Sequence, residues 1–144
     1  MEGITLTPVI LDTHTFVWLL EGNKRIGKTS RSLIQKAAKS DQLFLSAISP
    51  WEIAMLVSKG RLAFDRDVCE WLKTALSLPG ISLEPLSLEI SVASTRLPGK
   101  IHLDPADRII TATARHLKAI LVTEDSVLLD YSKLGHVKCQ RAGI

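Results

Sequence analysis

The chain has 144 residues, of which 46% are hydrophobic, enough for one folded unit with a substantial core and too little for two. A formal charge of +3 and a pI of about 9.0 make a mild basic excess that permits contact with nucleic acid without demanding it. Cys69 and Cys139 form no C-x-x-C pair and no basic-then-apolar leader opens the chain, so a disulfide framework, a zinc ribbon, export and membrane spanning are not indicated, and a cytoplasmic location fits.

In chain order, an apolar run near 8–11 reads as a first strand and a helical period follows near 14–21. A second helix near 30–40 is expected to be capped by Ser30, with Leu33, Ile34 and Ala37 on its buried stripe and Arg31, Lys36 and Lys39 toward solvent. A strand near 43–47 leads into a helix near 50–59. The next helix, near 66–78, is expected to start from an Asp65 cap and to bury Val68, Trp71, Leu72, Ala75 and Leu76 before Pro79-Gly80 stops it. A strand near 81–85 and a helix near 88–97 precede a clear loop, Pro98-Gly99-Lys100-Ile101-His102-Leu103. Helices near 105–117 and 126–132 then alternate with strands near 119–123 and 136–140. Short β-rich runs alternating with helical stretches predict an α/β fold on a mainly parallel sheet, with no internal repeat or linker.

Four acids stand out: Asp12 after Val9-Ile10-Leu11, Glu52 and Asp107 at helix starts, and Asp125 after the run that ends at Thr123. Each has a plain structural reading. Ser49-Pro50-Trp51-Glu52 matches a capping box, with Ser49 at the N-cap and Glu52 reaching back to it. Asp104-Pro105-Ala106-Asp107 repeats that logic, with Asp104 as cap and Asp107 facing the helix dipole. Asp125 can cap the helix it precedes, and Asp12 can close its strand in an Asx turn. Their joint placement points elsewhere, because ligand sites in open parallel sheets form beyond the carboxyl ends of the strands, where the winding reverses. All four acids can share one pocket there if the first and fourth strands are neighbours.

These segments carry a family resemblance. Leu11-Asp12-Thr13-His14, Ser49-Pro50-Trp51-Glu52-Ile53, His102-Leu103-Asp104-Pro105-Ala106-Asp107-Arg108 and Leu121-Val122-Thr123-Glu124-Asp125 resemble the PIN-domain nucleases, and most closely the VapC toxins of type II toxin–antitoxin modules. The likeness spans nearly the whole chain, so residues 1–144 are expected to form a single PIN domain. It implies a three-layer α/β/α sandwich around a five-stranded sheet of order 3-2-1-4-5, which puts the first and fourth strands side by side.

Carried over by position, the resemblance implies that Asp12, Glu52, Asp107 and Asp125 are catalytic and hold metal, with Asp104 and Thr123 supporting them from just behind. Glu124 departs from the basic or neutral residue common in relatives. Carboxylates without histidine or thiolate partners suit Mg²⁺, with Mn²⁺ as a substitute. The expected reaction is in-line attack of an activated water on an RNA phosphodiester, leaving 5′-phosphate and 3′-hydroxyl ends. The resemblance also implies a homodimer silenced by a VapB-like antitoxin whose C-terminal segment lies across the acidic groove.

Basic residues near the motifs, among them Lys100 and Arg108, are candidates for gripping the RNA backbone, beside the reading that they are solvated surface charges. Trp18, Trp51 and Trp71 lie on apolar helical stripes and read first as core; Trp51, beside Glu52, is the one most open to another role. His14 and His102 raise a zinc alternative, which lacks the usual nitrogen and sulfur ligand set. Haloacid-dehalogenase-like phosphatases and phosphoacceptor receiver domains fit poorly, since His14 stands where the former need a second acid and Thr13 where the latter do. A rival of another class is a catalytically silent PIN-like module that binds RNA or protein, for which the loss of at least one of the four acids would be expected.

Overall fold

The computed structural model describes residues 7–144; residues 1–6, on which the leader expectation bears, lie outside the described residues. Its sheet has five strands, β1 (Val9–Leu11), β2 (Leu43–Ser46), β3 (Ile81–Glu84), β4 (Ile120–Thr123) and β5 (Lys138–Arg141). They run in the order β3-β2-β1-β4-β5 and every pairing is parallel, so the mainly parallel sheet expected from the sequence is parallel throughout. Seven helices fill the connections among the described residues: α1 (Thr13–Leu20), α2 (Lys28–Lys39), α3 (Ile48–Ser58), α4 (Val68–Leu76), α5 (Leu88–Ser94), α6 (Pro105–Leu117) and α7 (Ser126–Ser132). None is long and apolar enough to cross a membrane.

Strand periodicity of two splits the core between the faces of the sheet. Val9, Leu11, Leu43, Leu45 and Val122 point to one side, where Phe16 of α1, Ile34 of α2, Ile53 of α3 and Trp71 of α4 cover them. Ile10 and Leu121 point to the other, under Ile110 and Ala114 of α6 and Leu128 and Tyr131 of α7. This three-layer arrangement is the one the family resemblance implies. Both central strands are buried on both faces, which is why they read as continuous apolar runs and not as alternating ones.

Two expected helix starts shift. Gly27, not Ser30, is the N-cap of α2; Ser30 lies buried in the first turn and donates through Oγ to the Arg141 carbonyl at 2.8 Å. Asp67, not Asp65, caps α4, accepting from the N–H groups of Cys69 and Glu70. At α4 the two aspartates are equal candidates by local chemistry, whereas at α2 the better capping residue, Ser30, is drawn instead into its bond with the Arg141 carbonyl. Pro79-Gly80 does end the α4 segment, and Gly80 has φ +90 with its Cα against Ala38, whose carbonyl oxygen would be 2.3 Å from any added Cβ. Cys69 and Cys139 are both free.

Candidate metal and catalytic site

The register of the two central strands sets the site. Leu11 of β1 pairs with Val122 of β4, so Asp12 emerges beside Thr123 at the carboxyl edge. Asp12 is the N-cap of α1: its Oδ1 accepts the Thr15 N–H at 2.8 Å, and its Oδ2 accepts the hydroxyl proton of the fully buried Thr123. The same Thr123 oxygen accepts the Asp125 N–H at 3.0 Å. One hydroxyl therefore ties the Asp12 side chain to the backbone that carries Asp125. Asp125 in turn caps α7, its Oδ1 accepting from Val127 at 2.8 Å and Leu128 at 3.1 Å and leaving Oδ2 outside these bonds.

Glu52 does not behave as the capping box predicts. Helix α3 starts earlier, at Ile48 with Ala47 in the cap position, and Ser49 makes no capping bond. Ser49 instead hydrogen-bonds the Thr13 hydroxyl at 2.9 Å, and that hydroxyl donates to Glu52 Oε1. A short relay of hydroxyls thus aims Glu52 at the end of β1 and away from its own backbone. The local signal was a cap; the tertiary contact is with a residue 39 positions earlier.

Asp104 caps α6, as its sequence predicts, with Oδ1 accepting the Asp107 N–H at 2.8 Å, and Pro105 opens the helix. This cap turns Asp107 inward. Oxygen atoms of Glu52, Asp104 and Asp107, one from each, all lie within 4.8 Å of one another. Asp104, expected just behind the site, therefore stands beside Glu52 and Asp107, while Asp12 and Asp125 line the same cavity without joining that trio. Asp12, Glu52, Asp104, Asp107, Glu124 and Asp125 line one cavity of about 370 Å³ together with Thr13, His14 and Trp18. Glu124 is held at the rim by Arg141 Nε at 3.1 Å and the Gly143 N–H at 2.8 Å.

The electrostatic cost falls on Asp107. Burial raises its carboxyl pKa to about 7, and the charges of Asp104, Glu52, Asp125 and Asp12 push the same way. At an effective dielectric near 20, two carboxylates about 5 Å apart repel by roughly 3 kcal/mol, a large share of an ordinary domain's stability. The donor set answers the question of what would offset it: several carboxylate oxygens and a hydroxyl, hard ligands suited to Mg²⁺ or Mn²⁺. His14 is exposed in the same cavity, whereas His102 and both cysteines lie outside its lining, so the nitrogen and sulfur ligands of a zinc site are not assembled.

The other candidates distribute unevenly. Arg108 turns its guanidinium to the backbone, donating to the carbonyls of Ile101 at 3.1 Å and Ser94 at 3.4 Å, and Lys100 is exposed in the neighbouring loop; neither lines the cavity. Trp71 is core, packed between Phe16 and Phe64. Trp51 is 56% exposed and outside the cavity, while Trp18 lines it. Trp51 adjoins Glu52 in sequence, but consecutive helix positions point about 100° apart, so adjacency to Glu52 does not bring it into the cavity.

With the geometry in place, comparison with known proteins is direct. The PIN-domain family matches residues 9–134. Ribonuclease VapC22 of Mycobacterium tuberculosis is 31% identical over 121 residues, covering 83% of this chain and 88% of that protein. Among solved structures, the VapBC2 complex from Rickettsia felis bound to a DNA fragment from its promoter aligns with a TM-score of 0.69 at 16% identity, over 93% of this chain and 98% of that one. DNA-bound VapBC from Salmonella typhimurium aligns with a TM-score of 0.67 at 13% identity, over 93% and 97%. The chain belongs to the PIN-domain family, within its VapC-type branch.

Proposed function

We propose that this chain is a Mg²⁺-dependent endoribonuclease acting as the toxin of a toxin–antitoxin module. The observation that carries this reading is the convergence of carboxylates from four separate segments on one cavity, with Asp107 pushed to about 7 by burial and by its neighbours. A silent binding module would be expected to have lost at least one of Asp12, Glu52, Asp107 and Asp125, and all four line the cavity. The 31% identity to a protein named a ribonuclease supports the choice of RNA as substrate.

Asp107, Glu52 and Asp104 would hold the principal cation, with Asp12 and Asp125 completing the ring. The bound cation would supply Lewis acidity at the scissile phosphate and a lowered pKa for the attacking water. The chain's own residues do the positioning. Thr123 fixes the Asp12 carboxylate and the α7 entry as one unit, and Thr13 holds Glu52 across the cavity. Asp125 Oδ2 and the second oxygen of Glu52 are then available to orient a water or accept its proton. Lys100 contacts the RNA backbone from its exposed loop, and Arg108 braces that loop through the Ile101 carbonyl.

As partners we infer a VapB-like antitoxin that covers the acidic cavity and a second copy of the chain, in a cytoplasmic setting; solved relatives in complex with their antitoxins support the first. The decisive experiment incubates purified protein with structured RNA and Mg²⁺, with and without chelator. Cutting that stops on chelation and is absent in Asp107→Asn is the expected result. Cutting that persists in chelator would overturn the metal role, and none across several RNAs would favour the binding module.

A further inference from the structure

A second cavity, of about 540 Å³, adjoins the carboxylate site and shares Thr13, His14 and Trp18 with it. Its character is different. Where the first is ringed by acids, this one has Trp18 as a flat wall, Leu62 as part of an apolar floor, and the guanidinium-bearing Arg25 and Arg61 at its margin. Arg25 Cζ lies 5.2 Å from the centre of the Trp18 ring, within cation–π range. Local hydrogen bonds hold that geometry: the Asn23 N–H donates to the Trp18 carbonyl at 2.8 Å, and the Arg25 N–H donates to Asn23 Oδ1 at 2.9 Å. The exposed Arg25 is thereby pinned at its backbone directly after α1, and its side chain is set over the indole before any ligand arrives. The imidazole of His14 leans toward the same indole, with centroids 6.4 Å apart, on the side shared with the acids.

We propose that this cavity seats one unpaired base of single-stranded RNA next to the phosphate that is cut, with Trp18 and Arg25 as the stacking surface; the inference rests on the nuclease reading above. Three observations favour a nucleotide. The cavity opens into the cut site, so a chain with its phosphate among the acids and their cation has its neighbouring base within reach. An indole and a guanidinium are both planar and accept the face of any base, the means by which single strands are held without pairing. Arg25 and Arg61 place positive charge beside a cavity lined by six acids, which suits a ligand that alternates phosphate with flat, uncharged rings. Glu21 and Asn23, also in the lining, offer acceptor and donor groups to a base edge, so the seat can prefer some bases over others.

The test uses single-stranded RNA pentamers spanning a bond that the wild-type protein cuts, and the same pentamers with an abasic nucleotide at each position in turn. Binding is measured by fluorescence anisotropy in Mg²⁺ with the non-cutting Asp107→Asn protein. Removal of one base beside the cut bond is expected to weaken binding about tenfold, the size of a single base–aromatic stack. Arg25→Gln, an exposed change that leaves the core intact, and Trp18→Leu should each shrink that penalty to about twofold or less, and Trp18→Phe should restore most of it. An undiminished penalty in folded Arg25→Gln and Trp18→Leu, or no position at which the base matters, overturns the proposal. So does a Trp18→Leu protein that binds all pentamers normally but loses its antitoxin, since the groove would then belong to a protein. If the wild type cuts no RNA the nuclease reading fails, and the seat is then tested on homopentamers of each base and their abasic counterparts, for which a base-dependent penalty that shrinks in Arg25→Gln and Trp18→Leu supports it and the absence of such a penalty overturns it.

Discussion

The two ends of the sheet handle charge in opposite ways. At the carboxyl end, Asp12, Asp104 and Asp125 each cap a helix, and a carboxylate at a helix N-terminus is ordinarily stabilising. At the amino end, Arg115, Lys118, His136 and Lys138 surround a shallow cavity of about 380 Å³ where α6 finishes, and cations at a helix C-terminus are stabilising for the same reason. That rule covers Arg115, in the last turn of α6, and Lys118, its C-cap, and Arg115 also donates to the His136 carbonyl. The acidic end exceeds it. Glu52 caps nothing, and Asp107, despite its place in the first turn of α6, has its pKa raised to about 7, so the helix dipoles do not absorb the charge gathered there. One end is structure; the other keeps an electrostatic debt that a cation would discharge.

That contrast can be broken most sharply at Asp107. Replacing it with Asn should reduce RNA cleavage by more than the roughly 10- to 100-fold typical of groups that merely support a metal ligand, while the cation-free protein melts at an equal or higher temperature. A large activity loss accompanied by a lower melting temperature would mean that the residue is structural after all. Next in size is the response to pH. Because the folded-state pKa of Asp107 lies above its unfolded value of 3.8, the folded protein holds the extra proton between these values. The associated stability is present below about 4 and is lost as pH rises toward about 7. Melting curves without cation should therefore decline across that window, and saturating Mg²⁺, which binds the deprotonated form, should offset the decline increasingly toward its upper end. A cation effect that is flat with pH would sever Asp107 from the metal.

A smaller effect is expected from Thr123→Val, which keeps the buried shape and removes the hydroxyl that Asp12 and the Asp125 N–H share. Leaving those groups short of a partner should cost about 1–3 kcal/mol in chemical denaturation and weaken cation binding by roughly 10- to 100-fold by calorimetry. The least response belongs to the other end of the sheet. Lys138→Ala, at an exposed position on edge strand β5, should leave cleavage within about twofold and stability within about 0.5 kcal/mol. A large loss of cleavage there would abolish the division between the two ends.

The alternation of helices with a parallel sheet was legible because buried parallel strands and amphipathic helices write their environment directly into local composition, while the three layers came from the family resemblance. The strand order came from the resemblance among four short blocks, since apolar runs carry no information about which strand lies beside which. At the site, Asp104 and Asp125 are readable as caps from their neighbours, whereas Asp12, expected to close its strand in an Asx turn, is the N-cap of α1; all three roles coexist with a place in the cavity. Glu52 was misread locally: Ser49-Pro50-Trp51-Glu52 has the letters of a capping box, but the hydroxyl of Thr13 outcompetes the backbone for its carboxylate. Trp18 was passed over because a tryptophan on an apolar stripe looks the same whether its outer edge meets a neighbouring helix or an open groove. Arg108, whose charge suggested RNA, also donates to two backbone carbonyls that no sequence pattern announces.

The pairing of Leu11 with Val122 has one more consequence. Adjacent strands keep a separation of about 4.8 Å whatever the connecting segments do. Asp12 and Thr123 are thus gauged by the backbone ladder itself, and the 98–103 loop and the turn carrying Arg25 hang outside that ruler. Grafting those segments from one relative to another should retune which RNA is chosen without recalibrating the scissors.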